Sequence, residues 1–365
     1  MFEIVRRLVP GLEGGPVSTR VDATEADRGD TVARGYRTSV RFSIVAARMV
    51  ALLPVALVQI APVYFDLAAT LDVLEAKTAE AAAAGAKLVV FGESWLGGYP
   101  AWLDHCPEAA LWDHPVTKRT YARHVEAAIT LPGPEAERIA AAAAEHGVGV
   151  VVGAHERQTT GPGVGTLYNV LLAFHPDRGL SVHHRKLVPT FTERLIWGPG
   201  DGAGLRSMEL SEARVGGLIC WEHWMPLARQ AMHEAGEDLH VAVWPWVHEA
   251  HQIASRSYAF EGRCHVLAVG SIMRRRDLPE GLAPDEGSPD ELVLRGGSAV
   301  IGPDGRYLVE PVLDEERIVY AEVDTTRNVE ERMTLDVTGH YARPDVFDLK
   351  IDRKRPSTEE ADSPP

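Results

Sequence analysis

The sequence predicts an α/β sandwich in which hairpins and β-α units share the same sheets. Two patterns predict it. From Val55 onward, short apolar runs of strand length alternate with longer helical segments. Two pairs of runs also flank Gly- or Pro-containing turns with no room for a helix, so those strands pair as hairpins. A purely parallel sheet would need a helical crossover at each of these points.

Residues 55–61 (VALVQIA) read as the first strand. Asp66 then caps a helix that carries Leu67, Leu71 and Leu74, runs through alanines to Ala84 and closes at Gly85. Residues 87–93 (KLVVFGE) form a short apolar run, as expected of a strand covered on both faces. A helix follows over 134–146, with Pro134 at its start and Gly147 just past its end. The runs at 148–156 and 167–175 flank a Gly-rich turn at 161–165 and read as paired strands. Residues 215–222 (VGGLICWE) are a strand, and Pro226 opens a helix that extends to about Ala235. A strand at 240–246, a helix near 249–262 and a strand at 265–272 repeat the alternation. Residues 298–310 read as two strands around a turn at Pro303-Asp304-Gly305.

The ends differ from this core. Residues 1–48 mix Gly, Pro, Thr and both charges, and are expected to form a poorly ordered extension. Either Met1 or Met49 can be the start; the hypothesis of a start at Met49 would be refuted by an intact native mass including residue 1. The domain is expected over 49–350, and residues 351–365, rich in Pro, Ser and acid, as a disordered tail. The apolar stretch 42–61 follows Arg37 and Arg41 and superficially resembles a signal peptide. Arg48 interrupts it, Pro54 sits inside it, and 49–60 is too short to span a bilayer, so it reads as a buried first strand.

Composition narrows the partners. The 365 residues are 45% hydrophobic and 24% charged, ordinary for a globular chain. A formal net charge of −15 argues against nucleic acid and against an anionic membrane surface. The cluster Arg274, Arg275 and Arg276 reads as a solvated loop. Three cysteines without CxxC spacing (Cys106, Cys220 and Cys264) speak against a disulfide framework and for a reducing compartment, the cytoplasm. "HEAH" (His248, Glu249, His251) spaces its histidines three apart rather than four and is a weak zinc candidate, so no metal is expected.

Chemistry concentrates at strand ends. Cys220 ends an apolar strand and precedes a helix, where the helix dipole would favour thiolate; a buried, inert cysteine fits the same position. Glu93 likewise leaves a buried strand, where desolvation would raise its pKa and suit it to carry a proton, or it makes a surface ion pair. Lys186 could depress a neighbouring thiol and offset developing negative charge. Glu193, seven residues on, could hold that ammonium or form a loop salt bridge. His183, His184 and His223 are available, yet nothing in their spacing pairs one with Cys220. Tyr99, Trp221 and Trp246 supply aromatics near these segments and are expected to bind substrate, although aromatics at strand ends are as often core.

Taken together, "VVFGESWLGGYP", "HHRKLVPTFTER" and "GGLICWEHWMPLAR" resemble the glutamate, lysine and cysteine segments of the nitrilase superfamily, in that order. The resemblance runs from about Val55 to Leu349 and includes "DVTGHYARPDVF" near the C-terminus. It implies a four-layer α-β-β-α sandwich without a cofactor. Glu93 would be the general base, Lys186 the charge stabiliser, Cys220 the nucleophile and Glu193 a positioning glutamate. Cys-Trp-Glu followed by Pro-Leu is similar to true nitrilases and their cyanide-degrading relatives, which implies hydrolysis of a small-molecule nitrile to acid and ammonia through a thioimidate and a thioester. An amidase or carbamoyl-amide hydrolase, or a nitrile or cyanide hydratase giving the amide, would use the same residues. An inactive scaffold would have no need of all three. Relatives of this kind assemble through surface contacts, so a homodimer or a larger spiral homo-oligomer is expected.

Overall fold

The computed structural model describes residues 52–355 apart from 162, 212 and 284–286. The expected extension 1–48, the start at Met49 and residues 356–365 of the expected tail lie outside the described residues. Of that tail, Arg355 donates to Asp201 at 2.8 Å and to the His183 carbonyl at 2.9 Å.

Apolar side chains that alternate between both faces of a strand require cover on both sides, and the two sheets meet that need. β1 (Leu52–Gln59) passes through α1 (Leu67–Ala83) into β2 (Leu88–Phe91), which lies parallel to it. α2 (Pro115–Glu126) and α3 (Pro134–His146) precede β3 (Gly149–Arg157), parallel to β2. β4 (Leu167–His175) and β5 (Gly179–Arg185) then add antiparallel.

The second sheet repeats the scheme. β6 (Met208–Leu210) pairs antiparallel with β7 (Ala213–Ile219). α4 (Pro226–Glu234), β8 (Leu239–Val243), α5 (Glu249–Gly262) and β9 (His265–Val269) continue as parallel β-α units. β10 (Ile272–Arg274), β11 (Leu292–Ile301) and β12 (Tyr307–Leu313) add antiparallel, and β13 (Arg317–Asp324) returns to β1 in the first sheet before α6 (Thr326–Glu331).

Between the sheets Leu57, Val90 and Leu171 pack with Leu218, Val241 and Leu267. α1 and α3 cover the outer face of the first sheet with Leu71, Leu74 and Ile139, and α4 and α5 contribute Met232 and Tyr258 to the core at the second. The result is the expected four-layer α-β-β-α sandwich. Asp66 caps α1 by accepting from Ala69 N at 3.0 Å, and Gly147 ends α3 at φ 61°, where a Cβ would be strained.

Unanticipated elements lack a readable stripe. α2 buries only Thr120 and His124, so it has no apolar period. The apolar run 215–222 stops as a strand at Ile219, and Cys220 turns away.

Candidate active site

Three strands deliver the polar residues at their carboxyl ends. Glu93 lies two residues past β2, Lys186 directly follows β5 and Cys220 directly follows β7. The Glu93 turn packs so closely on β3 that a Cβ at Gly153 would lie 2.8 Å from Glu93 Cα and overlap Ser94 N. Only glycine leaves room there.

Cys220 adopts φ 53°, a left-handed conformation that strains a non-glycine residue by about 1–2 kcal/mol. Its neighbours hold that shape. The Glu222 carboxylate, 1% exposed, accepts from Ile219 N at 2.7 Å and from Leu187 N at 2.8 Å, and His184 Nε2 lies 2.9 Å away. One buried carboxylate thus ties the nucleophile's turn to the chain next to Lys186.

Lys186 Nζ donates to Glu93 Oε1 at 2.8 Å and to Glu193 Oε2 at 2.7 Å, with all three groups buried. Asn169 Nδ2 donates to the same Glu93 oxygen at 2.8 Å. Glu93 Oε2 has no hydrogen-bond partner among the described residues. Glu193 also accepts from Thr190 N at 2.8 Å and from the Tyr99 hydroxyl at 3.1 Å. Cys220 Sγ and oxygens of Glu93 and Glu193 lie within 4.8 Å of one another. The cation hydrogen-bonded to both of these carboxylates is the Lys186 ammonium.

Burial raises the Glu93 carboxyl from 4.5 to about 7; Lys186 opposes that rise and Glu193 adds to it. Burial alone would lower the Lys186 ammonium, but Glu93, Cys220 and Glu193 outweigh it and hold it raised. Burial pushes the Cys220 thiol well up, Glu93 adds to this and Lys186 opposes it. Desolvation thus works against the thiolate expected from the following helix. The helix begins only at Pro226, beyond a 3₁₀ turn at Cys220–Trp224, so its N-terminus does not abut the sulfur. A carboxyl near 7 beside a thiol can take its proton as the sulfur attacks.

The cluster opens into a cavity of about 400 Å³. Tyr99, Trp221 and Trp246 line it beside Cys220 and Glu193, with Trp221 46% exposed. His183 and His184 bond Glu156 and Glu222, and His223 faces the Cys220 carbonyl rather than its thiol. In "HEAH" the ring centroids of His248 and His251 lie 3.6 Å apart with the planes tilted by 36°, while Glu249 is exposed. Sequence reasoning missed Asn169, which sits within β4 without a motif, and the role of Glu222, whose partners His184 and Leu187 come from a distant segment.

Residues 54–330 match the carbon–nitrogen hydrolase family model. The chain is 39% identical over 302 residues to an aliphatic nitrilase of Sinorhizobium fredii (strain HH103), covering 82% of this chain and 95% of that protein. It is 36% identical over 302 residues to the bifunctional nitrilase/nitrile hydratase NIT4A of Lupinus angustifolius, covering 80% and 84%. Its fold is similar to that of Saccharomyces cerevisiae Nit3, a member of branch 10 of the nitrilase superfamily, with a TM-score of 0.60 at 19% identity over 80% of this chain and 96% of that one.

Proposed function

The chain belongs to the carbon–nitrogen hydrolase family, and from that premise we propose that it is a true nitrilase, converting an organic nitrile to the carboxylic acid and ammonia. The observation that carries the site assignment is the buried Glu93–Lys186–Cys220 cluster, in which one Glu93 oxygen is unspent beside the thiol. Cys220 Sγ adds to the nitrile carbon while its proton passes through Glu93 to the nitrile nitrogen, giving a thioimidate. Water adds to that carbon, with Glu93 taking and returning the proton, and the tetrahedral adduct expels ammonia to leave a thioester. A second water releases the acid and restores the thiol. Lys186 uses two of its three N–H donors on Glu93 and Glu193, which leaves one for the charge that develops on the substrate. Glu193, held by Tyr99 and Thr190, fixes the ammonium.

If the adduct expels the thiol before ammonia, the product is the amide. The relative from Lupinus angustifolius, bifunctional by name, favours keeping this second outcome in view. Tyr99, Trp221 and Trp246 contact the substrate in this reading, since they line the cavity that holds Cys220. The test is a panel of aliphatic, aryl and arylacetonitriles with their amides, scored for ammonia, acid and amide. Ammonia from amides but never from nitriles would overturn the nitrile assignment, and turnover surviving Cys220→Ala would overturn the mechanism.

Among the described residues no helix is long and apolar enough to cross a membrane. A cytoplasmic setting and a homo-oligomeric state, a dimer or a larger spiral, belong to the same proposal. Leu227 on α4 and Ile253 and Phe260 on α5 give the outer helical layer exposed apolar surface that a second copy could cover. Sedimentation velocity reads the assembly state, and a monomer at micromolar concentration would count against it; cell fractionation reads the compartment.

A further inference from the structure

Beside the nucleophile lies a buried chain of polar groups that the hydrolytic steps do not use. His223 Nδ1 is 2.7 Å from the Cys220 carbonyl oxygen, and His223 Nε2 is 2.9 Å from His240 Nε2. His240 Nδ1 in turn lies 2.9 Å from Glu237 Oε2, and the Tyr258 hydroxyl donates to Glu237 Oε1. All four side chains belong to residues at most 2% exposed. The strand that carries the nucleophile makes room for the carboxyl: a Cβ at Gly216 in β7 would overlap Glu237 Oε2.

Hydrogen bonding fixes where the protons are. A carbonyl oxygen only accepts, so His223 Nδ1 carries a hydrogen. With that ring neutral, Nε2 is a lone pair, and His240 Nε2 must donate to it. His240 Nδ1 is then a lone pair facing a carboxyl, so Glu237 must supply the hydrogen from Oε2 while Oε1 accepts from Tyr258. Placing that proton on His240 and leaving Glu237 ionised satisfies the same count. Burial favours the uncharged arrangement, lowering both histidines well below 6.5 and raising Glu237 to about 7.

We propose that His223 is a positioning residue for the nucleophile, and that the proton shared by Glu237 and His240 keeps it in the tautomer that holds the Cys220 carbonyl. Removing the proton reverses the chain. Ionised Glu237 draws a hydrogen to His240 Nδ1, His240 Nε2 becomes an acceptor, and His223 moves its own hydrogen to Nε2. Its Nδ1 lone pair then faces the carbonyl oxygen, and a bond that holds Cys220 in the left-handed region is lost.

Other charged or titratable groups surround this chain. Glu237 is also faced by His233 of α4 and by Asp238, while Cys264 lies against Glu237 and Tyr258. Arg229 and Glu261 flank His233, and Arg332 faces Cys264. His240 is faced by Glu222 and His184, and His223 by Glu222 and His251. Among the described residues the hydrogen-bond partner of His240 Nδ1 is Glu237 alone.

The inference rests on Cys220 being the nucleophile but not on the substrate being a nitrile, so its direct test uses no substrate. Nitrogen-15 NMR of histidine-labelled full-length protein reads the tautomers. His223 is expected as the Nδ1–H form well below pH 7, changing to Nε2–H as the pH rises through about 7. An Nε2–H form well below pH 7, or one tautomer throughout, overturns the proposal. Kinetics supply the second test. His223→Ala should lower kcat at least about tenfold with KM little changed, and His223→Asn, which keeps an N–H donor close to the backbone, should recover most of that loss. The wild-type protein should lose kcat at alkaline pH, and Glu237→Gln, which keeps a donor against His240 at every pH, should remove that fall. An alkaline limb unaltered in Glu237→Gln would refute the relay, and full kcat in His223→Ala would refute the positioning role.

Discussion

Replacing the general base should make the protein more stable. Glu93 Oε1 accepts from both Lys186 and Asn169, whereas Oε2 accepts from no described residue. In Glu93→Gln the amide oxygen can keep both bonds, and the NH₂ falls where no donor opposes it. Gln therefore stands in for the protonated carboxyl. Burial raises that carboxyl from 4.5 to about 7, and each pH unit corresponds to about 1.4 kcal/mol, so ionising Glu93 costs the folded state about 3 kcal/mol above pH 7. The sign follows from the raised value. The folded state binds this proton more tightly than the unfolded state, so the penalty is absent below 4.5 and grows as pH rises through about 7. Urea unfolding should show Glu93→Gln more stable than wild type by about 2–3 kcal/mol at pH 8, with no difference near pH 4. Turnover should fall by about 10²–10⁴ in the same variant. Equal or lower stability at pH 8, or a gap that does not change with pH, would refute the assignment of Glu93 as a destabilised, desolvated base.

Two further substitutions probe the groups around it. Lys186→Met leaves Glu93 and Glu193 without the cation that bonds both, so Glu93 should hold its proton to higher pH and kcat should drop by about 10²–10³; a loss smaller than about tenfold in a folded variant would contradict the role given to the ammonium. Glu222→Gln sets an NH₂ against one of two buried backbone donors, Leu187 N or Ile219 N, and should cost about 1–3 kcal/mol while lowering kcat. Unchanged stability and rate would show that this carboxylate does not hold the nucleophile's turn.

Local signals were legible wherever burial imposed a period. The α3 reading of 134–146 and the β4 reading of 167–175 agree with the observed bounds, because Pro134, Gly147 and a mostly apolar run containing Asn169 are local facts. The first strand followed for the same reason: the apolar residues at 55–58 pair on both sides, with β2 and β13. β13 itself escaped notice, since its exposure alternates irregularly along an otherwise mixed run. α2 escaped because its buried positions are Thr and His.

The candidate site divides along the same line. Placement of Glu93 and Cys220 at the ends of apolar strands, and the chain order of Glu93, Lys186, Glu193 and Cys220, could be read from the chain alone. Their chemistry could not. A helix following Cys220 pointed to thiolate, yet burial pushes the thiol well up, because desolvation depends on everything packed around the sulfur. Asn169 on Glu93, Tyr99 on Glu193 and Leu187 on Glu222 are pairings across distant segments that leave no local pattern. The sequence by itself determined which residue types stand at the strand ends; only the tertiary structure decided their protonation and the geometry that holds them, because both arise from burial and from partners far apart in the chain.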